Sequence, residues 1–378
     1  MIFDYETLKL IWWLLLGVLL VGFGVTGGFD LGVGAMLRII GRTDDDRKVM
    51  INCIGPTWDG NQVWLILGAG AVFAAWPLVY ANAFSVLYPA MLAALFALFF
   101  RPTGFEYRAK IADARWRAFW DWGLVVGGAV PAVVFGVAFG LVLEGIPFHY
   151  DENMRIIMDG NVLDALTPFA LFSGVVSLVM LGMHGSAFLN MKARGSVQMQ
   201  ARRWLGMLSI TLIVLFALGG VWVANGVEGY VLQPGGNLNH ALTPLNQHVS
   251  RAAGAWMHNF DNMHWMWLAP ALGFAGALLA GLLRSAPRLA LLASGLSVSG
   301  VILTAGFAAF PFMLPSSSVP SQSLSIWNAS ASEHSLALML IAACIFIPLI
   351  LLYTTWVYRV LRGPVRSEDV NKQEYGTY

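Results

Sequence analysis

Polar residues stand at four places inside or at the mouths of apolar runs. Asp30 lies in GVTGGFDLGVG. Asp59, Asn61 and Gln62 open WDGNQVWLILGAG. Arg101 closes LFFRPTGF, and Asp121 sits in FWDWG. Carboxyl groups in such places can take up and release protons, and amides can hold water or bridge helices. An ionised Asp at mid-helix costs around 2.5–3.5 kcal/mol on insertion scales. A paired cation, water or protonation must offset that. Asp30 lies about 10 Å from the inner end of its run at 1.5 Å per residue, too far for a short side chain to reach out. Two readings meet the requirement: a proton or ion path, or a protonated, hydrogen-bonded packing acid.

Asp59 lies one turn inside the next run, with Gln62 three residues on and on the same face. An acid in a first helical turn complements the helix dipole. That explains Asp59 but not Asn61 and Gln62 with it. A wet, inward-opening mouth accounts for all three, and simple capping and packing is the competing reading. Arg101 and Asp121 both fall at the inner interface. There a structural ion pair or snorkelling competes with a role at the entrance of a proton route.

The elements that position these residues follow from composition. The chain is 58% hydrophobic and 11% charged, against about 25% charged in soluble domains. With a mean hydropathy of +0.68, this predicts an all-α polytopic membrane protein, because runs of about 20 apolar residues cross a bilayer as helices. Nine spans are expected, at 8–37, 56–76, 78–100, 119–143, 163–189, 204–225, 263–283, 289–312 and 335–358. Pro77 permits a tight turn between the second and third. Gly24, Gly28 and Gly32 recur every four residues, and Gly27, Asp30 and Gly34 share a face. Small-residue stripes of this kind let helices approach closely, so the first span is expected to be internal.

Lys and Arg orient the spans. With the N-terminus outside, 19 of the 22 basic residues fall in inner loops, leaving Lys9, Arg155 and Arg251 outside. The expectation is a periplasmic N-terminus, a cytoplasmic C-terminus and a single integral membrane domain over 1–378. Long periplasmic loops are expected at about 226–262 and 313–334, with a short surface helix within 246–258. Tryptophans lie near many of the expected interfaces, and an aromatic belt explains most of them.

Several function classes fall away. The net charge of +1 gives no nucleic-acid footprint. Cys53 and Cys344 lack the spacing of a disulfide framework or zinc site. His184 alone lies within a clear span, and no histidine pair lies in a core, so no haem site is evident and no metal site is expected. No Walker A loop, HExxH or EF-hand pattern occurs.

The stretches FDYETLKLIWWLLLGVLL, GGFDLGVG, WDGNQVWLILGAGAVFAAWPLVYA, LFFRPTGFEYR, RWRAFWDWG, FGVAFG, GVWVANGVEGYVL, TAGFAAFPFMLPSS and PLILLYTTW run in order over nearly the full length. Together they resemble subunit II of cytochrome bd quinol oxidases, bacterial respiratory enzymes of the inner membrane. The resemblance implies two four-helix bundles plus a peripheral helix. It implies a heterodimer with subunit I, which would carry haem b, haem d and the quinol-oxidising loop, and a small single-helix accessory subunit. This chain would hold no haem, with room for a bound quinone or lipid that no motif locates. The complex would take electrons from quinol and reduce O2 to water, with protons drawn from the cytoplasm. The chain alone would not be catalytic. Asp30 and Asp59 match acids of the family's proton route, and Asp121 matches another inner-face acid. Gly27 stands where many relatives carry an acid, and Thr57 where some carry His, which implies a rewired or more water-dependent route. An independent proton- or ion-coupled transporter and a pure scaffold are the alternatives.

Overall fold

The structure, a computed structural model, describes residues 3–160, 166–233, 238–240 and 242–366. Lys372 of the basic tally, the first residues of the span expected at 163 and part of the 226–262 loop lie outside the described residues.

Thirteen α-helices are described: α1 (Tyr5–Ala35), α2 (Leu37–Ile40), α3 (Asp44–Ile54), α4 (Trp58–Ala75), α5 (Pro77–Val86), α6 (Tyr88–Tyr107), α7 (Ala114–Glu144), α8 (Pro168–Lys192), α9 (Ser196–Asn225), α10 (His258–Asn262), α11 (Leu268–Leu282), α12 (Pro287–Ala309) and α13 (Glu333–Val360). Eight helical segments are long and apolar enough to cross a membrane, and the bent pair α4–α5 makes a ninth candidate.

That pair corrects the expected second and third spans. The chain does turn sharply before Pro77, by 117°, but into the separate helix α5 and not directly into the third span. Trp76 leaves the helical region (φ −136, ψ 71) before Pro77 at the first turn of α5, because a residue preceding proline is pushed out of it. The third long helix therefore runs over Tyr88–Tyr107, later than the expected 78–100. The 18 residues of α4 extend about 27 Å, close to a bilayer core.

Two ends of the helix array differ in chemistry. At one, the basic segments gather. Lys192 Nζ donates to the Leu361 carbonyl, Asn190 Nδ2 to the Arg284 carbonyl, and Ser196 to Asp46. At the other end sit three two-stranded antiparallel sheets, β1 (Phe148–Tyr150) with β2 (Ile156–Met158), β3 (Glu228–Leu232) with β4 (Val249–Ala253), and β5 (Phe312–Leu314) with β6 (Leu324–Ser325). The all-α expectation is amended accordingly. The short helix expected within 246–258 is largely strand β4, flanked by helical turns at Pro244–Asn246 and from Ala255. Lys9 is buried there, its Nζ donating to the carbonyls of Leu238, His240 and Trp327 at 2.9, 3.3 and 3.2 Å. All three ammonium donors are thus matched.

Helix α1 is internal, as its glycines suggest. It packs on α4, α7, α8 and α12, and every residue from Gly27 to Leu37 is buried. A side chain at Gly32 would run into the backbone of Leu181 on α8, and one at Gly34 would come within 3.1 Å of the Leu124 carbonyl on α7. Helices α8, α9, α11 and α12 pack in a ring, α6 lies on α7, and α13 touches α1 and α4. Only 6% of the apolar window of α13 is buried, so it is peripheral in this chain.

Candidate functional site

Asp30 sits in the buried half of α1. A glycine-rich stretch there lets α7 and α8 close around the carboxyl, and no water-facing surface remains. One oxygen, Oδ2, accepts a hydrogen bond from Asn61 Nδ2 at 2.8 Å. The other, Oδ1, is buried without a hydrogen-bond partner. Asn61 in turn accepts at Oδ1 from the Tyr358 hydroxyl, also at 2.8 Å. Three helices thus meet in one polar chain: α1, α4 and α13.

Arg101 closes the site from α6. It is buried, and its Nη1 and Nη2 have no hydrogen-bond partner. Its guanidinium carbon lies 5.6 Å from the Trp58 ring. Gly127 on α7 makes room for the arginine stem, since a Cβ there would meet Arg101 Cγ at 2.9 Å. Between Asp30 and Arg101 lies a cavity of about 10 Å³ lined also by Val33, Ile51, Ile54, Phe105 and Leu124. That volume is close to what one water needs.

The α4 residues separate by helical geometry. Asn61 points inward, whereas Asp59, two residues and about 200° away on the helix, is exposed. Among the described residues no hydrogen bond or ion pair joins Asp59 to Asp30. Gln62 is half-buried, with Nε2 unpartnered. Asp30 and Asn61 are therefore brought together, and Asp59 and Gln62 stand apart from them.

Asp121 belongs to a different cluster. It is buried on α7, with Oδ1 accepting from Arg108 Nε at 2.6 Å and Oδ2 paired with Arg47 Nε at 2.8 Å. Arg108 also bonds Asp44 at 2.6 Å, and Arg117 and Lys48 approach Asp44 at 3.5 and 3.7 Å. Partial burial opposes ionisation of Asp44, but the hydrogen bond and charge of Arg108, with Arg117 and Lys48, outweigh it. They hold its carboxyl below the ordinary value of 3.8. The expected Arg101–Asp121 pair is not formed: Arg47 and Arg108 take both carboxylate oxygens, and Arg101 faces Asp30 instead. Arg47 arrives on α3, whose start is fixed by a reciprocal capping box between Thr43 and Asp46. The T-x-x-D spacing and three consecutive acids could have marked that helix in the sequence. Tyr358 had no such signal, being 297 residues from its partner.

His184, on α8, is the one buried histidine among the described residues. Its Nε2 donates to the Val25 carbonyl and its Nδ1 bonds Ser294 Oγ, both at 2.8 Å. Neither ring nitrogen is free for iron, so this residue does not fit haem ligation. Among the described residues no three His, Cys, Asp or Glu side chains lie together as a metal site.

The family model for cytochrome bd terminal oxidase subunit II matches residues 8–361. The chain belongs to that family. Subunit 2 of the cytochrome bd-I ubiquinol oxidase of Escherichia coli K12 is 47% identical over 377 residues, covering 99% of this chain and 100% of that one. A probable cytochrome oxidase subunit 2 of Haemophilus influenzae is 46% identical, with the same coverage of 99% and 100%. The bd oxidase structure from Geobacillus thermodenitrificans matches with a TM-score of 0.69 over 94% of this chain and 98% of that one. At 14% identity, that likeness speaks for the fold alone. As a member of the cytochrome bd subunit II family, the chain is a membrane component of an oxidoreductase, in keeping with its membrane-length helices.

Proposed function

We propose that this chain is the haem-free second subunit of a cytochrome bd-type quinol oxidase in the bacterial inner membrane. It forms one integral membrane domain that supports assembly with subunit I and delivers protons from the cytoplasm. Subunit I, with its haems, supplies the electron transfer and oxygen chemistry. A small single-helix subunit, quinol and lipid are the further partners. The basic end of the helix array is cytoplasmic by the positive-inside rule, which puts the N-terminus in the periplasm and the C-terminus in the cytoplasm. Helices α1, α4, α6 and α7 form one four-helix group, α8, α9, α11 and α12 the other, and α13 lies outside both. The packing of α1 on α4 and α7, and the ring of the other four, support that grouping.

One observation carries the proton role. Asp30 is sealed among helices with one oxygen held and the other unpartnered, and it lines a cavity shared with the unpartnered guanidinium of Arg101. A packing acid would have both oxygens matched, since an unsatisfied buried polar atom costs about 1–3 kcal/mol. A proton cannot cross bare hydrocarbon, so titratable groups and water must carry it. Asp30 is the relay acid and Asn61 orients it. Asp59 and Gln62 form the hydrated mouth on the exposed side of α4. Asp121 serves the ion cluster rather than the relay.

The test is oxygen consumption by the assembled oxidase with Asp30→Asn or Asp59→Asn. Both slow turnover at normal haem content, Asp30→Asn by about tenfold or more. Wild-type rates in both variants would leave the chain a scaffold, and loss of haem would point to assembly.

A further inference from the structure

The two oxygens of Asp30 are not equivalent, and the difference sets a direction of approach. On the Oδ2 side, Asn61 donates from its amide nitrogen, and its carbonyl is occupied by the Tyr358 hydroxyl. Flipping the amide would set its carbonyl oxygen against an ionised carboxylate. An amide N–H is a donor with no free lone pair to receive a proton. The Asn61 side therefore holds Asp30 in place but does not feed it.

Asp30, whose Oδ1 is unpartnered, and Arg101, whose Nη1 and Nη2 are unpartnered, line one cavity of about 10 Å³. Both side chains are at least nine-tenths buried, and no ion pair within 4.0 Å joins them among the described residues. A buried water needs about 10–15 Å³ and two to four polar partners. This cavity supplies the room, one acceptor and two donors.

We propose that a single water bridges Asp30 Oδ1 and the Arg101 guanidinium, and that protons reach and leave Asp30 through this water, with Arg101 as its positioning residue. The inference rests on the proton-delivery reading. The step balances simply: the water gives one proton to Oδ1 and takes one from a further water arriving from the cytoplasmic side, and no electrons move. Arg101 does not exchange protons, because guanidinium stays charged. It anchors the water's oxygen so that a hydrogen points at the carboxyl. Tyr358 acts on the other side, locking the amide so that Oδ1, not Oδ2, remains open.

The test uses the assembled oxidase with Asp30→Asn, Arg101→Met, Arg101→Lys and Val33→Ile, the last adding a methyl group to the cavity wall. Oxygen consumption is followed against pH at matched haem content, and a high-resolution map of the wild-type complex is inspected at the cavity. Arg101→Met and Val33→Ile should each slow turnover by about tenfold. Arg101→Met should also displace the pH profile, because removing a cation beside a carboxyl changes where it exchanges its proton. Arg101→Lys should recover part of the rate. The map should hold one water density between the two side chains. Slow Asp30→Asn with wild-type rates and pH profiles in Arg101→Met and Val33→Ile would overturn the bridging water while sparing the relay. Wild-type turnover in Asp30→Asn would remove the relay itself. If Arg101→Met fails to assemble, Val33→Ile and the map still decide. An empty cavity in a map that resolves other buried waters overturns the proposal.

Discussion

Asp30 and Asp121 are both aspartates on long helices with no exposed surface, yet their surroundings are opposite. Asp121 has a guanidinium at each oxygen, 2.6 and 2.8 Å away, and those arginines bind α3 and the end of α6 to α7. Asp30 has one amide hydrogen bond and one oxygen with nothing to accept. Burial alone therefore does not distinguish a relay from a rivet. What distinguishes them is whether the acid's hydrogen-bonding capacity is used up. A saturated carboxylate has nowhere to put a proton without breaking an ion pair, whereas an unsaturated one beside a cavity can change its protonation state in place.

The largest expected effect falls on the saturated acid. Asp121→Ala leaves Arg47 and Arg108 without their carboxylate and should cost about 3–5 kcal/mol, seen as loss of assembled complex or a steep drop in melting temperature. If instead Asp121→Ala assembles normally and only turnover falls, the contrast between the two acids collapses. Tyr358→Phe comes next. It leaves the Asn61 carbonyl buried without a donor, at about 1–3 kcal/mol, and frees the amide to turn. Turnover should fall severalfold with haem content intact, and an unchanged rate would mean that Asn61 is fixed without the phenol. Asp59→Asn should be milder than Asp30→Asn, because Asp59 is exposed on α4 and unpaired with the buried acid. Equal losses would make the mouth and the relay one unit.

The smallest effect concerns pH. Asp44 is held below 3.8 in the folded chain, so its contribution to stability is present above the unfolded value. That contribution is lost as pH falls through the lowered one. Thermal stability of the complex should fall at acid pH below about 4, and Asp44→Asn should flatten that fall. A pH-independent melting temperature in the same range would contradict the charge pairing at Asp44.

Hydropathy and the count of basic residues made the long helices legible, because lipid imposes a run of apolar residues on every crossing. The internal position of α1 followed from Gly24, Gly28 and Gly32, since a glycine stripe has one use in a helix of this kind. Asp30 was conspicuous for the same reason, a charge where the run permits none. The break before α5 was visible only as Pro77, and its 117° bend depends on packing that no local pattern encodes. The loop strands are three to five residues or shorter and leave almost no periodic signal. Side-chain pairing was the least legible. Arg101 and Arg108 lie on the same stretch, and periodicity could not say which of them meets Asp121. That choice depends on how α6 rotates against α7, set by Gly127 accepting the Arg101 stem.

The bond from Tyr358 to Asn61 also has a bearing on biosynthesis. Chains enter the membrane from the N-terminus onward, so the carboxyl of α1 is inserted long before the phenol of α13 arrives to fix its amide neighbour. Until translation reaches the thirteenth helix, Asp30 waits among partners whose orientation is unset. The site is finished last, by the helix that buries least of itself.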